Sequence, residues 1–131
     1  MDLRLDFLGL VTADLSRSLA FYRALGVDIP ETAADAPHVE VRLPSGLTLA
    51  WDTVETIRSF EPDWATPAGS ARIALAFRAP GPAEVDAAYA LARPLGTGGT
   101  EPWDAPWGQR YARITDPDGN TVDLYADQPA A

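Results

Sequence analysis

The 131-residue chain contains no cysteine and only one histidine. Without thiols there are no disulfides and no thiolate chemistry, so a reducing, cytoplasmic compartment is the default expectation. A lone imidazole, His38, excludes any site built from two or three histidines of one chain. No apolar run approaches the ~20 residues needed to span a bilayer. The start, Met1-Asp2-Leu3-Arg4-Leu5-Asp6, alternates charged with apolar residues, unlike a signal peptide. There is no glycine-rich phosphate loop, and spacing suggests no Ser-His-Asp set. Positive charge is also scarce: 10 basic residues stand against 19 acidic ones, a formal net charge of −9. That field counts against nucleic acid as a partner, and nothing points to a membrane partner. It either attracts cationic ligands or simply keeps the chain in solution. The remaining composition, 47% hydrophobic and 22% charged, is that of one globular domain with a sizeable core.

The order of local patterns is more informative. Leu3, Leu5, Phe7, Gly9 and Val11 alternate as in a strand, and Leu8 and Leu10 fill its other face, so this strand is expected to be buried on both sides. Asp14 suits an N-cap, and Leu15, Ser18-Leu19, Tyr22 and Leu25 continue at helical spacing to Gly26, a candidate left-handed terminus. His38 to Leu43 alternates, Pro44-Ser45-Gly46 turns, and Leu47 to Trp51 returns as a hairpin. The second half repeats this order. Arg72 to Phe77 reads as a strand, Pro82 as position N1 of a helix through Val85, Ala88-Tyr89 and Ala92, and Leu95-Gly96 echoes Leu25-Gly26. Arg110 to Thr115 and Asn120 to Tyr125 flank the turn Asp116-Pro117-Asp118-Gly119. Between the halves, 53–60 suits a short helix and 61–70 a linker. Tyr22 and Tyr89 read as core, and Trp51 and Trp64 as packing residues.

Val11 to Tyr22, closing on Leu25-Gly26, resembles the first helix of glyoxalase and bleomycin-resistance-type proteins, members of the vicinal oxygen chelate superfamily. Asp116 to Asn120 with Val122-Asp123-Leu124 resembles that superfamily's last hairpin, and Trp107 to Tyr111 the strand entering it. The resemblance implies an α+β fold of two βαβββ modules in tandem, forming a curled sheet around one cleft. The modules would span about 3–52 and 71–126, joined by a linker at about 53–70 in a single domain. It also implies a homodimer, because such proteins usually pair and often complete their clefts across the partner. Metal-dependent members take one ligand from the first and one from the last strand of each half. The matching positions here are Phe7, Ala50, Arg72 and Asp123. A phenyl ring, a methyl group and a guanidinium cannot coordinate a cation, which leaves one carboxylate where four ligands are wanted. No metal or other cofactor is therefore expected, and the resemblance points to the drug-binding, metal-less branch.

In such a cleft Arg72 and Asp123 would face each other, either as a bidentate ion pair or as a donor and an acceptor for a ligand. Glu101 to Gly108 reads as an irregular, proline-braced rim whose Trp103 and Trp107 either cap the core or stack against a planar or cationic ligand. His38 points to the cleft or to solvent, with Glu40 on its face. The candidate ligand-binding set is Phe7, His38, Glu40, Ala50, Arg72, Trp103, Trp107 and Asp123. The expected function is metal-independent sequestration of a small planar or cationic compound. The rivals are a lyase or dioxygenase with a non-standard metal site drawn from His38, Glu40, Asp52 and Asp123, and a non-catalytic partner domain.

Overall fold

The computed structural model describes residues 1–129, the side chain of Thr32 excepted. Its first strand, β1, runs Phe7–Thr12, and helix α1, Leu15–Ala24, follows at once. Asp14 caps α1, its carboxylate accepting from the Arg17 N–H at 3.2 Å. The helix ends where Gly26 adopts φ +95°, the left-handed geometry that glycine enters without a Cβ penalty. A 3₁₀ turn at Glu31–Asp35 leads to β2, His38–Arg42, and the Pro44-Ser45-Gly46 turn returns the chain as β3, Thr48–Thr53. Helix α2, Val54–Phe60, is capped by Thr53 and precedes the linker.

The second half repeats the order with one strand more. Strand β4, Ala74–Arg78, precedes α3, Pro82–Ala92, with the proline in the first turn as expected. Strands β5 (Gly98–Ala105), β6 (Gln109–Thr115) and β7 (Thr121–Asp127) then form an antiparallel meander. The sheets have orders β1-β3-β2 and β4-β7-β6-β5, and in each the first strand lies parallel to the last. The fold is α+β, and its two halves are consistent with tandem βαβββ modules. In the first half a 3₁₀ turn stands where the second half has β5. No helix among the described residues is long and apolar enough to cross a membrane.

Both sheets use one face for the core. Leu10, Val39, Leu49 and Trp51 of the first sheet join Leu19, Phe21 and Tyr22 of α1 in a cluster with Val85, Ala112, Ile114, Val122 and Leu124 of the second half. Each such large side chain adds roughly 1.5–3 kcal/mol of burial free energy. Trp51 is fully buried, its indole N–H donating to Ser18 Oγ at 3.1 Å while Tyr22 packs edge-on at 5.6 Å. Tyr89 is only half-buried.

Three expectations need correction. Leu3 and Leu5 lie ahead of β1, 84% and 85% exposed, because the parallel partner β3 begins only at Thr48 and leaves them nothing to pair with. The face of β1 that holds Phe7 and Gly9 is likewise open rather than buried. Gly96 does not repeat the left-handed role of Gly26. Its φ is −97°, and a Cβ there would lie 2.4 Å from the Thr115 carbonyl oxygen, so close approach of two backbones demands the glycine.

The halves are tied by the Asp116-Pro117-Asp118-Gly119 turn. The fully buried Asp116 carboxylate accepts from the Asp118 and Asn120 N–H groups, the Asn120 amide and, at 2.7 Å, the Tyr22 hydroxyl of α1. Burial, with Asp116 alongside, pushes the Tyr22 phenol far up, so it stays a donor. Tyr22→Phe is therefore expected to cost about 1.5–3 kcal/mol in urea denaturation, and Asp116→Ala more, because it orphans several buried donors. Equal stability of Tyr22→Phe and the parent chain would show that this tie contributes nothing.

Candidate functional site

Strand alternation and register decide which side chains share a face. Opposite the core, the first sheet carries three rows: Phe7, Thr48 and Arg42; Gly9, Ala50 and Glu40; Val11, Asp52 and His38. Gly9 and Ala50 make a shallow floor, with the Phe7 ring 3.5 Å from where a Gly9 Cβ would sit. His38 lies between two carboxylates, Nδ1 2.5 Å from Asp52 Oδ1 and Nε2 3.0 Å from Glu40 Oε1. Hydrogen bonds to Glu40 and then Asp52 hold its pKa above the ordinary value. Asp52, named from the sequence only for a metal alternative, thus joins the candidate residues, and its pairing with His38 follows directly from the hairpin register.

The open face of the second sheet is aromatic and charged. One row runs Arg78, Tyr125, Tyr111 and Trp103 across all four strands. Trp107, in the turn between β5 and β6, stands edge-on to both Trp103 and Tyr111, with centroids 5.5 and 5.4 Å away. The Trp107 indole N–H donates to Gln109 Oε1 at 2.8 Å. Arg78 lies over the Tyr125 ring at 5.2 Å and pairs with Asp127 at 3.2 Å. The next row holds Ala76, Asp123, Arg113 and Thr100. Trp103 and Trp107 are 40% and 57% exposed, so they do not cap the core. The expected irregular rim is instead largely strand β5, with a register shift between Thr100 and Trp103 that accommodates Pro102.

Asp123 has a partner, but not Arg72. Arg113 Nε donates to Asp123 Oδ1 at 2.7 Å and Nη2 to Oδ2 at 3.1 Å, a bidentate pair that also raises the guanidinium's pKa. Arg113 Nη2 further donates to the Tyr111 hydroxyl at 3.3 Å. Arg72 is an exposed bend residue ahead of β4. The register explains the difference. Gly9 pairs with Ala50 and Ala76 with Asp123, so the counterpart of Phe7 is Ala74. The structure thus gathers Phe7, His38, Glu40 and Ala50 on one open face, Trp103 and Asp123 on the other with Trp107 in the adjoining turn, and leaves Arg72 apart from both.

An apolar cavity of about 880 Å³ lies elsewhere, between Leu8, Val41, Leu43 and Leu49 of the first half and β4 of the second. None of the eight expected site residues lines it. It is a gap between the two halves, apart from the polar and aromatic side chains of the open faces.

The duplicated strand-helix-sheet unit, with one face of each sheet left open, is an α+β arrangement of the glyoxalase type. The profile of the Glyoxalase/Bleomycin resistance protein/Dioxygenase superfamily matches residues 4–124, and the chain belongs to that superfamily. A glyoxalase/bleomycin resistance protein/dioxygenase from Nocardioides is 26% identical, with TM-score 0.73 over 100% of this chain and 87% of that one. A family enzyme from Burkholderia phytofirmans PsJN superposes with TM-score 0.79 at 16% identity, covering 95% of this chain and 99% of its own. A glyoxalase-related enzyme from Fulvimarina pelagi gives 0.78 at 19% identity, covering 95% and 88%. No curated protein matches the sequence.

The donor set at the positions that the family resemblance assigns to a metal does not fit one. By register the four positions are Phe7, Ala50, Ala74 and Asp123, and Asp123 is already engaged by Arg113. Among the described residues no group of three His, Asp or Glu side chains is arranged to hold a metal ion.

Two expectations follow. Arg113→Met, which strands the nearly buried Asp123 carboxylate, should lower stability by about 1–3 kcal/mol in urea denaturation. Arg72→Ala should change it by less than about 0.5 kcal/mol. The reverse order would reinstate the pairing read from the sequence. For His38, a raised folded pKa means that its contacts stabilise fully below the unfolded value and are lost as pH rises through the folded one. Relative to His38→Gln, the parent chain should lose stability as pH climbs from about 6, by under about 1 kcal/mol because the ring is more than a third exposed. An NMR titration of the ring with an ordinary midpoint would contradict this.

Proposed function

We propose that the protein binds a small planar or cationic organic compound without a metal, in the manner of the antibiotic-binding members of its superfamily. The carrying observation is the row Arg78, Tyr125, Tyr111 and Trp103, flanked by Trp107 and bordered by the Arg113–Asp123 pair. Exposed rings beside fixed charges suit stacking and cation–π contact with a flat ligand, while the ion pair supplies directional polar groups. Phe7 and the His38–Glu40–Asp52 group offer a second wall of similar character.

In a single chain both faces are open, and a binding site needs cover. The chain exposes 8321 Å², against roughly 6,700 Å² expected for a compact monomer of its mass. Phe7, Trp103 and Trp107 contribute to that excess. A homodimer that covers these faces would remove about half of that excess, since a standard interface removes about 800 Å² per partner.

A panel of planar compounds, read by tryptophan fluorescence, tests the binding. Trp107→Ala should weaken the best ligand by about 1–3 kcal/mol, a tenfold to hundredfold loss, at unchanged melting temperature. Unaltered affinity in that variant would remove the second sheet's face from the site. Light scattering at micromolar concentration should give twice the chain mass, and the mass of one chain would defeat the dimer.

A further inference from the structure

Two carboxylates on one open face converge on a single imidazole, and among the described residues no other cation pairs with them. Asp52 comes from β3 and Glu40 from the same strand as His38, on opposite sides of the ring. On β1 the matching row holds uncharged Val11. From α2, Thr56 ties to Thr53 and to the Pro37 carbonyl rather than to the ring. Arg42, next on that face, reaches towards the Gly46 turn, its Nη2 4.0 Å from where a Gly46 Cβ would sit. The three groups therefore carry one positive and two negative charges when His38 is protonated. Asp52 is the better held, only 20% exposed and 2.5 Å from Nδ1, whereas Glu40 is 53% exposed and 3.0 Å from Nε2. Glu40 is the partner that can be drawn away.

Resting on the binding reading above, we propose that this cluster is a proton-exchanging seat for the cationic group of the ligand, an amidinium or guanidinium. The incoming cation takes the Glu40 carboxylate, and His38 releases its Nε2 proton to solvent. The ring stays as a neutral imidazole, with its Nδ1–H donated to Asp52. No bond to carbon changes, and the balance is one cation gained and one proton lost. The cluster thus keeps its net charge of −1, and two cations are never held side by side on the floor formed by Gly9 and Ala50. Because deprotonation favours binding, affinity for a permanently charged ligand rises with pH until His38 is neutral in the free protein, by up to about tenfold per pH unit.

Benzamidinium, planar and charged from pH 5.5 to 8.5, is the probe, with neutral benzamide as its isostere. Calorimetry in two buffers of different ionisation enthalpy should show up to one proton released per benzamidinium bound at pH 7, and tighter binding at pH 8 than at pH 5.5. His38→Gln should bind it with little dependence on pH, and Glu40→Gln should bind it at least tenfold more weakly, both with folded-state circular dichroism intact. Flat affinity across the range, no proton release, full affinity in Glu40→Gln, or no binding of benzamidinium at all would overturn the proposal. Benzamide or another neutral planar compound that still binds, and weakens in Trp107→Ala, would show in those cases that the binding reading survives and only the cation seat fails.

Discussion

One buried carboxylate holds the two halves of this protein in a common core. Asp116 has no solvent to share its charge, and four donors meet it: two backbone amides and a side-chain amide of its own turn, and the Tyr22 hydroxyl from the first half. A buried charge is tolerated only when its hydrogen bonds are complete, so turn and helix must arrive together. Tyr22 in turn touches Phe21, Trp51 and Phe77, which belong to both sheets and to α1. Removing the tie would disturb polar satisfaction and aromatic packing at the same place.

That arrangement decides which surfaces remain for chemistry. With one face of each sheet given to the shared core, the strand pleat sends every second side chain to the opposite face. Phe7, Ala50, Glu40 and His38 gather on one such face, and Trp103, Tyr111, Arg113, Asp123 and Tyr125 on the other. The charges there are mostly paired already: Arg113 with Asp123, Arg78 with Asp127, His38 with Glu40 and Asp52. The positions that the family resemblance assigns to a metal carry a phenyl ring, two methyl groups and a carboxylate already paired with Arg113, a donor set that does not fit a cation.

Much of the fold is legible in the sequence. The Asp14 cap, the left-handed Gly26, the Pro82 helix start and both hairpin turns were local signals with local causes, and each element lies where its signal stood. The site was legible only in part. A count along the chain places Arg72 opposite Asp123, whereas the structure pairs Asp123 with Arg113. The Arg72 offset slipped by two residues because β4 begins at Ala74, a boundary that alternation alone does not mark. Arg113, the true partner, sat in a stretch already read as a strand, and only its register against β7 shows that it faces Asp123.

The sequence by itself therefore determined the tandem order of strand, helix and hairpin, because caps and turns are properties of residues and their near neighbours, and its family resemblance carried the fold class. Tertiary structure alone decided which charges meet. Arg113 with Asp123 is set by strand register, and Tyr22 with Asp116 by the packing of α1 against a turn 94 residues away. The same holds for the exposure of Leu3, Leu5, Trp103 and Trp107, since burial depends on what lies opposite, and hydrophobic pattern does not say whether anything does.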